Sequence, residues 1–220
     1  MFLVSAIVFA AIEACFTHWK IRAGEFVAKP MVMLILLTWA WLELPAGVSL
    51  HVAIIFSLIG DVLLIFPQEG MFLPGLVSFL GAHLAYICYF SPLLTHAQLG
   101  QILIYVLGFG ITSLMIVRPV LEVLSRGPKR SQDLIVPVFG YSVAIFIMAF
   151  FASLTLVDPS WSVGNAALVS AGSLLVLISD CILAWCKFVR PFPTGYTANI
   201  ITYFAGQIGI VWGCILQHGS

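Results

Sequence analysis

Residues 134–156 read LIVPVFGYSVAIFIMAFFASLTL and contain no Asp, Glu, Lys or Arg. The hydrocarbon core of a bilayer is about 30 Å thick, and a helix needs about 20 consecutive apolar residues to cross it. This stretch is long enough to cross once, and its apolar side chains suit contact with lipid. It therefore predicts a helical span of an integral membrane protein.

The composition of the whole chain agrees with that prediction. Hydrophobic residues make up 62% of the 220 residues and charged residues only 8%, whereas a soluble domain carries about 25% charged residues. So few charges do not cover a water-facing surface, and lipid is the expected solvent for most of the exterior. The formal net charge is zero, which gives no electrostatic reason to expect a nucleic-acid partner.

Apolar runs separated by polar or Pro/Gly breaks divide the chain into eight predicted spans. They cover roughly residues 2–17, 30–46, 50–66, 71–91, 99–118, 134–156, 163–186 and 196–216. The break after the third span begins at Pro67, and segment 119–133 is the longest predicted loop. We expect an all-α polytopic membrane bundle of about eight transmembrane helices, with residues 1–220 forming a single domain.

The positive charges support an even number of spans, because they cluster in three connections or at their edges. These connections lie between spans one and two, five and six, and seven and eight. Their Lys and Arg residues are Lys20, Arg22, Lys29, Arg118, Arg126, Lys129, Arg130, Lys187 and Arg190. With eight spans these connections share one side, which the positive-inside rule makes cytoplasmic. Both termini are then extracytoplasmic, and a bacterial inner membrane and an endoplasmic reticulum both fit this multi-pass protein.

Two aspartates lie inside predicted spans and in similar local sequences. Asp61 lies in LIGDVLL at 58–64, and Asp180 lies in LISDCIL at 177–183. Their spans run in the same direction, and each Asp precedes the cytoplasmic end of its span by about five or six residues, or ~8–9 Å at 1.5 Å per residue. The two carboxyl groups are expected at a similar depth. Ionisable groups are unfavourable inside a membrane, so both are functional candidates.

Two acids in one site of low dielectric constant do not ionise together easily. One of them then holds a proton and the other is an anion, so the pair supplies a proton donor and a group that stabilises a cation. Such a pair suits acid-catalysed hydrolysis through an oxocarbenium ion, as in glycosidases. The alternative is structural, with each Asp bonded to a neighbouring helix.

Further polar side chains lie deep in other spans. Phe79, His83 and Tyr86 share one helical face, and His83 is either a packing residue or part of the site. Tyr203 and Gln207 are spaced i, i+4, and Gln207 is expected to face the bundle because an unpaired amide is unfavourable in lipid.

Glu13, near the inner end of span one, leaves two interpretations open: it pairs with Lys29 or it faces the site. The histidines are dispersed along the chain, whereas a zinc site needs three or four convergent ligands. We therefore predict no metal site.

The chain resembles a known family, the lysoplasmalogenase (YhhN-like) membrane proteins. The matching stretches are GDVLL at 60–64, FxxxHxxY at 79–86, PVxxY at 137–141, ISDxxLA at 178–184 and TYxxxQ at 202–207. They follow the order of the family over most of the chain, and Lys29-Pro30 at the start of span two is also similar. One departure is Gly206, where the family usually has Ala, a change between two small residues.

The resemblance implies an eight-span enzyme that hydrolyses the vinyl ether bond of lysoplasmalogens, which are lysophospholipids of the bilayer. The products are a fatty aldehyde and glycerophosphoethanolamine or glycerophosphocholine, and no metal or organic cofactor is required. Asp61 and Asp180 are then the catalytic acid and base, in an order that the sequence leaves open. The residues expected to bind the substrate or to orient it with the water are Lys29, His83, Tyr86, Tyr141, Tyr203 and Gln207.

Two other functions compete with this interpretation. A proton-coupled membrane transporter uses the same kinds of intramembrane side chains. Another intramembrane lipid hydrolase, such as a metal-dependent amidase, is the second alternative. The sequence does not fix the oligomeric state, and a homo-oligomer is compatible with it.

Overall fold

The computed structural model describes residues 1–66 and 68–218, without the side chains of Glu69, His96 and Arg130. The predicted break at Pro67 and the cationic group of Arg130 thus lie outside the described residues. In the described chain, eight helices are long and apolar enough to cross a membrane. They are α1 (Phe2–Trp19), α2 (Arg22–Glu43), α3 (Val48–Ile65), α4 (Phe72–Thr95), α5 (Leu99–Arg126), α6 (Ile135–Leu156), α7 (Val163–Val189) and α8 (Gly195–His218). The described residues include no strand, and the predicted all-α membrane bundle is confirmed.

Seven of these helices close into a ring in which each packs against the next. The order is α1, α2, α3, α4, α6, α7, α8 and back to α1. Helix α5 lies outside the ring, where it packs against α6 and against the last turns of α7. Helix α8 is accordingly the most buried span and α5 the least. The core lies between α2 and α8, around residues such as Met33, Leu36 and Ile210, each of which is fully buried.

Helices α7 and α8 approach each other closely at two glycines. A Cβ atom placed on Gly206 would lie 2.7 Å from the carbonyl oxygen of Gly172, and a Cβ on Gly172 would lie 2.7 Å from the carbonyl oxygen of Gly206. Small residues at helix interfaces in membranes permit this backbone contact. The change from the family's Ala to Gly206 is therefore not neutral here, because an alanine would force the two helices apart.

Segment 119–133 is largely helical, and the prediction of a long loop was wrong. Helix α5 widens into a π-helical segment at Ser113–Val117 and continues through Pro119 to Arg126. Pro119 is tolerated because it lies at the start of the last regular segment, where a proline is compatible with the helix. The Nε atom of Arg118 donates to Oε1 of Glu122 at 2.9 Å and supports the next turn. A further helical turn covers Lys129–Gln132.

Helix α2 also begins earlier than predicted, at Arg22 instead of near residue 30. Prolines are tolerated inside membrane helices because the surroundings satisfy the freed backbone groups, and Pro30 lies within α2. Lys20 ends α1 with φ 57° and ψ 37°, so the chain reverses within Lys20 and Ile21. Lys29 is consequently a helical residue inside the bundle and not part of a loop.

The connections α1–α2, α3–α4 and α7–α8 lie at one end of the bundle, because Lys20, Gln68 and Pro193 line the same cavity. We call this end the basic end. Its assignment to the cytoplasm, with both termini on the opposite side, stays a prediction.

Candidate active site

A cavity of about 540 Å³ lies between α1, α2, α3, α4, α7 and α8 and opens at the basic end. We call it the polar cavity. Its walls carry the cationic residues Lys20, Arg22, Lys29 and Lys187. They also carry the acidic residues Glu13, Glu25, Asp61 and Asp180. Charges of both signs in one cavity suit a zwitterionic ligand.

Asp61 is buried on α3 and both of its carboxylate oxygens have partners. The Lys29 Nζ atom, from α2, lies 3.3 Å from Oδ1. The Tyr203 hydroxyl, from α8, donates to Oδ2 at 2.9 Å. A buried carboxylate is tolerated when an ion pair and a hydrogen bond compensate for its lost hydration. The setting of Asp61 therefore suits an anion fixed in position.

Asp180 lies on α7 in a different setting, at the end of a hydrogen-bonded chain. The Tyr141 hydroxyl, from α6, donates to Asp180 Oδ2. The His83 Nε2 atom, from α4, lies 2.9 Å from the Tyr141 oxygen and 3.6 Å from Asp180 Oδ2. Since the single hydroxyl proton of Tyr141 is directed at Asp180, the His83 Nε2 atom is the donor in its bond to Tyr141.

The other ring nitrogen of His83 is buried, and Nδ1 has no hydrogen-bond partner among the described residues. The chain His83–Tyr141–Asp180 thus ends in an apolar interior on one side and at the cavity on the other. The side chain of Asp180 is 18% exposed, compared with 1% for Asp61. Asp180 is therefore the more accessible of the two carboxyl groups.

Both aspartates line the polar cavity. The sequence left open whether the two carboxyl groups face a common space. The packing of α3 and α7 around the polar cavity places both of them on its wall. Their partners come from different helices, so neither hydrogen-bonded group could have been assembled from spacing within one span.

Tyr86 and Gln207 pair with each other. The Tyr86 hydroxyl donates to Gln207 Oε1 at 2.6 Å, and both residues are almost fully buried. In the part of the chain that the structure describes, neither side chain lines the polar cavity. Their bond joins α4 to α8, and Gln207 faces the bundle interior as expected.

Glu13 lies on the cavity wall and is 1% exposed. The Thr17 hydroxyl donates to its Oε1 atom at 3.5 Å, and its Oε2 atom has no hydrogen-bond partner among the described residues. The sequence signal for this position was an acid near the inner end of span one. The cavity cations Lys20, Arg22 and Lys187 were not predicted as site residues, although their clustering on one side of the membrane was visible in the sequence.

The arrangement combines an anchored carboxylate, a second carboxyl group at the end of a Tyr–His chain, and a cavity that opens at the basic end. Groups of these kinds are able to transfer protons and to stabilise a positive charge. Together with the charged walls, they suit acid–base chemistry on a ligand that carries both signs of charge.

Comparisons with known proteins show which proteins the chain is similar to. A family model described as the YhhN family matches residues 24–214. Lysoplasmalogenase TMEM86B of Homo sapiens is 30% identical over 187 residues, which are 83% of this chain and 71% of that protein. Lysoplasmalogenase TMEM86B of Mus musculus is 28% identical over 194 residues, covering 87% of this chain and 74% of that protein. Lysoplasmalogenase TMEM86A of Bos taurus is 26% identical over 173 residues, covering 78% and 67%. No solved structure matches the chain.

Proposed function

The chain belongs to the YhhN family, and on that premise we propose that it hydrolyses the vinyl ether bond of lysoplasmalogens by acid–base catalysis with Asp61 and Asp180. It is a multi-pass membrane enzyme of the hydrolase class, as its curated relatives are. The observation that carries the proposed mechanism is the pair of carboxyl groups in unlike settings on one cavity. Such pairs divide the roles of acid and base between two residues.

Vinyl ether hydrolysis begins with transfer of a proton to the β-carbon of the double bond. The resulting oxocarbenium ion is attacked by water to give a hemiacetal, which collapses to an aldehyde and the glycerol hydroxyl. One carboxyl group supplies the proton, and the other, as an anion, stabilises the cation and accepts a proton from the attacking water. The cavity is open to water at the basic end, which supplies the second reactant.

The charged walls of the cavity suit the head group of a lysophospholipid. Lys20 and Arg22 line the walls as cations for the phosphate, and Glu13 and Glu25 line them as acids for the amino group. Lys29 lies between Asp61 and the part of the cavity where the head group would bind. Its ammonium is a point charge that attracts both the Asp61 carboxylate and the phosphate of the substrate. Of the other residues expected to contact the substrate, His83, Tyr141 and Tyr203 act by holding the two carboxyl groups. Tyr86 and Gln207 bond to each other instead.

The test is product formation by the purified protein in detergent. A 1-alkenyl lysophosphatidylethanolamine should release a fatty aldehyde, detected by its reaction with a hydrazine reagent. The saturated 1-O-alkyl analogue has the same head group and chain but no double bond to protonate, so it should release none. Absence of aldehyde from the alkenyl lipid, or equal cleavage of both lipids, would overturn the proposal. Because this detergent assay contains no vesicles, aldehyde release in it also distinguishes an enzyme from a transporter.

A further inference from the structure

A second cavity lies beside the first, between α5 and the ring. Its walls are formed mainly by aliphatic and aromatic side chains, including Ile116, Val120, Ile145 and Phe146. We call it the apolar cavity. Its volume is about 80 Å³, compared with about 540 Å³ for the polar cavity. A space of that size and polarity fits a few carbons of a hydrocarbon chain.

The two cavities share one wall. The residues common to both linings are Leu64, Phe72, Phe79, Asp180, Leu183 and Lys187. Of the carboxyl groups that the structure describes, Asp180 alone lines both cavities, whereas Asp61 lines the polar one. Tyr141, which donates to Asp180, faces the apolar side. Asp180 thus lies at the border between a charged space and a hydrocarbon space.

Both π-helical segments in the described part of the chain contribute to the apolar cavity. Ile116 and Val117 belong to the segment Ser113–Val117 of α5, and Lys187 and Phe188 belong to the segment Trp185–Val189 of α7. Such segments interrupt regular helical bonding and occur often at functional sites. The outer face of α5 is exposed to lipid, with Leu114 and Met115 more than 60% exposed. A hydrocarbon chain that extends from this cavity past α5 therefore enters the bilayer directly.

We propose that the apolar cavity binds the first carbons of the alkenyl chain of the substrate, so that the vinyl ether crosses from the polar to the apolar cavity at Asp180. The glycerophospho group occupies the polar cavity, and the rest of the chain lies in the bilayer beside α5. This inference rests on the proposed function and adds to it the location of the chain. The vinyl ether runs from the glycerol oxygen through C1 and C2 to the rest of the alkenyl chain. C2 is therefore the carbon of the double bond that lies nearer the apolar cavity. Asp180, at the border of the two cavities, faces C2 and is the general acid.

The proton balance follows from this placement. The carboxyl proton of Asp180 moves to C2, the C1=C2 π electrons form the new C–H bond, and C1 becomes the oxocarbenium carbon. Water adds to C1 and gives a proton to the Asp61 carboxylate, which leaves a hemiacetal. The C1–O bond to glycerol then breaks, the glycerol oxygen takes the proton from Asp61, and the hemiacetal hydroxyl returns a proton to Asp180. One water is consumed, and both carboxyl groups regain their starting states.

A photoreactive lipid tests where the chain binds, independently of hydrolysis. The probe is a 1-O-alkyl lysophosphatidylethanolamine with a diazirine near the start of its chain, and labelled peptides are identified by mass spectrometry. Labelling should concentrate on α5 and α6 around Ile116 and Ile145. Ile116→Trp fills the cavity and should abolish this labelling, whereas Met115→Trp, on the lipid-facing side of the same helix, should preserve it. Equal labelling of the two variants would overturn the proposal.

The same pair of variants gives a kinetic test in the aldehyde assay. Ile116→Trp should lower kcat/KM by about 10²-fold, as expected when a reacting group is displaced by about 1 Å, and Met115→Trp should retain the unmodified rate. Unchanged kcat/KM in a folded Ile116→Trp protein would contradict binding of the alkenyl chain in the apolar cavity. If the unmodified protein is labelled by the probe in the apolar cavity but releases no aldehyde, the proposed function is refuted. Binding of the lipid chain in the apolar cavity is then still supported.

Discussion

Lys29 Nζ lies 3.3 Å from Asp61 Oδ1, and this ion pair joins α2 to α3 at the inner wall of the polar cavity. Lys29 is only slightly exposed and Asp61 is buried, so the attraction between them is weakly screened by water. The pair gives Asp61 a counter-charge in the place where an anion would otherwise be unfavourable. It distinguishes Asp61 from Asp180, whose partners are a tyrosine and a histidine.

Lys29→Met should lower kcat by about 10²–10⁴-fold, the range that a positioned acid or base contributes. Without the ammonium, Asp61 is left as an unpaired buried carboxylate and instead takes up a proton. The measurement is aldehyde release at saturating substrate. Lys129→Met, which removes a cation from the exposed α5–α6 connection, is the matched control and should keep the normal rate. A fully active Lys29→Met protein would show that Asp61 does not need its partner.

Tyr141→Phe should lower kcat by about 10–100-fold. It removes one hydrogen bond to a carboxyl group, worth about 1.5–3 kcal/mol, which corresponds to that factor in rate. The ring remains to line the apolar cavity, so KM should change little. Tyr105→Phe, on α5 with its ring packed against Phe150, serves as the control for removal of a hydroxyl. If both variants lose the same activity, the link from His83 to Asp180 has no special role.

Gly206→Ala should lower the thermal unfolding temperature. Overpacking a tight interface costs about 1–3 kcal/mol, and about 2–4 °C is lost per kcal/mol in a chain of this length. Gly108→Ala is the matched control, because a Cβ there meets nothing within 4 Å and alanine favours the helix over glycine. The control should be as stable as the original chain or more so. Equal unfolding temperatures for the two variants would contradict the close contact of α7 and α8.

Much of the fold could be predicted because its signals are local. The apolar lengths located all eight spans, and the clustered Lys and Arg indicated an even number of them. The course of α5 could not be predicted, since a proline and a run of charges normally end a helix and the π-helical segment before Pro119 is not visible in the sequence. The position of α5 outside the ring depends on packing between distant spans, and it is this position that creates the apolar cavity.

The candidate site was predictable as a set of residue types but not as an arrangement. Asp61 and Asp180 stood out because they are charged residues in apolar segments, and the resemblance to a family added Tyr141. The sequence did not indicate that Tyr203 contacts Asp61 while Tyr86 contacts Gln207. Which of these polar side chains meet depends on the depth and the rotation of each helix in the bundle, and spacing within one span fixes neither.

The two-aspartate mechanism is tested most directly by aldehyde release from a lysoplasmalogen by purified Asp61→Asn and Asp180→Asn proteins. Each variant is first shown to have the elution volume in size-exclusion chromatography and the unfolding temperature of the unmodified enzyme. Asparagine keeps the shape of the side chain but neither carries the charge nor exchanges the acidic proton. Each variant should lose about 10²–10⁴-fold in kcat. A folded variant of either kind that releases aldehyde at the unmodified rate would contradict the two-aspartate mechanism.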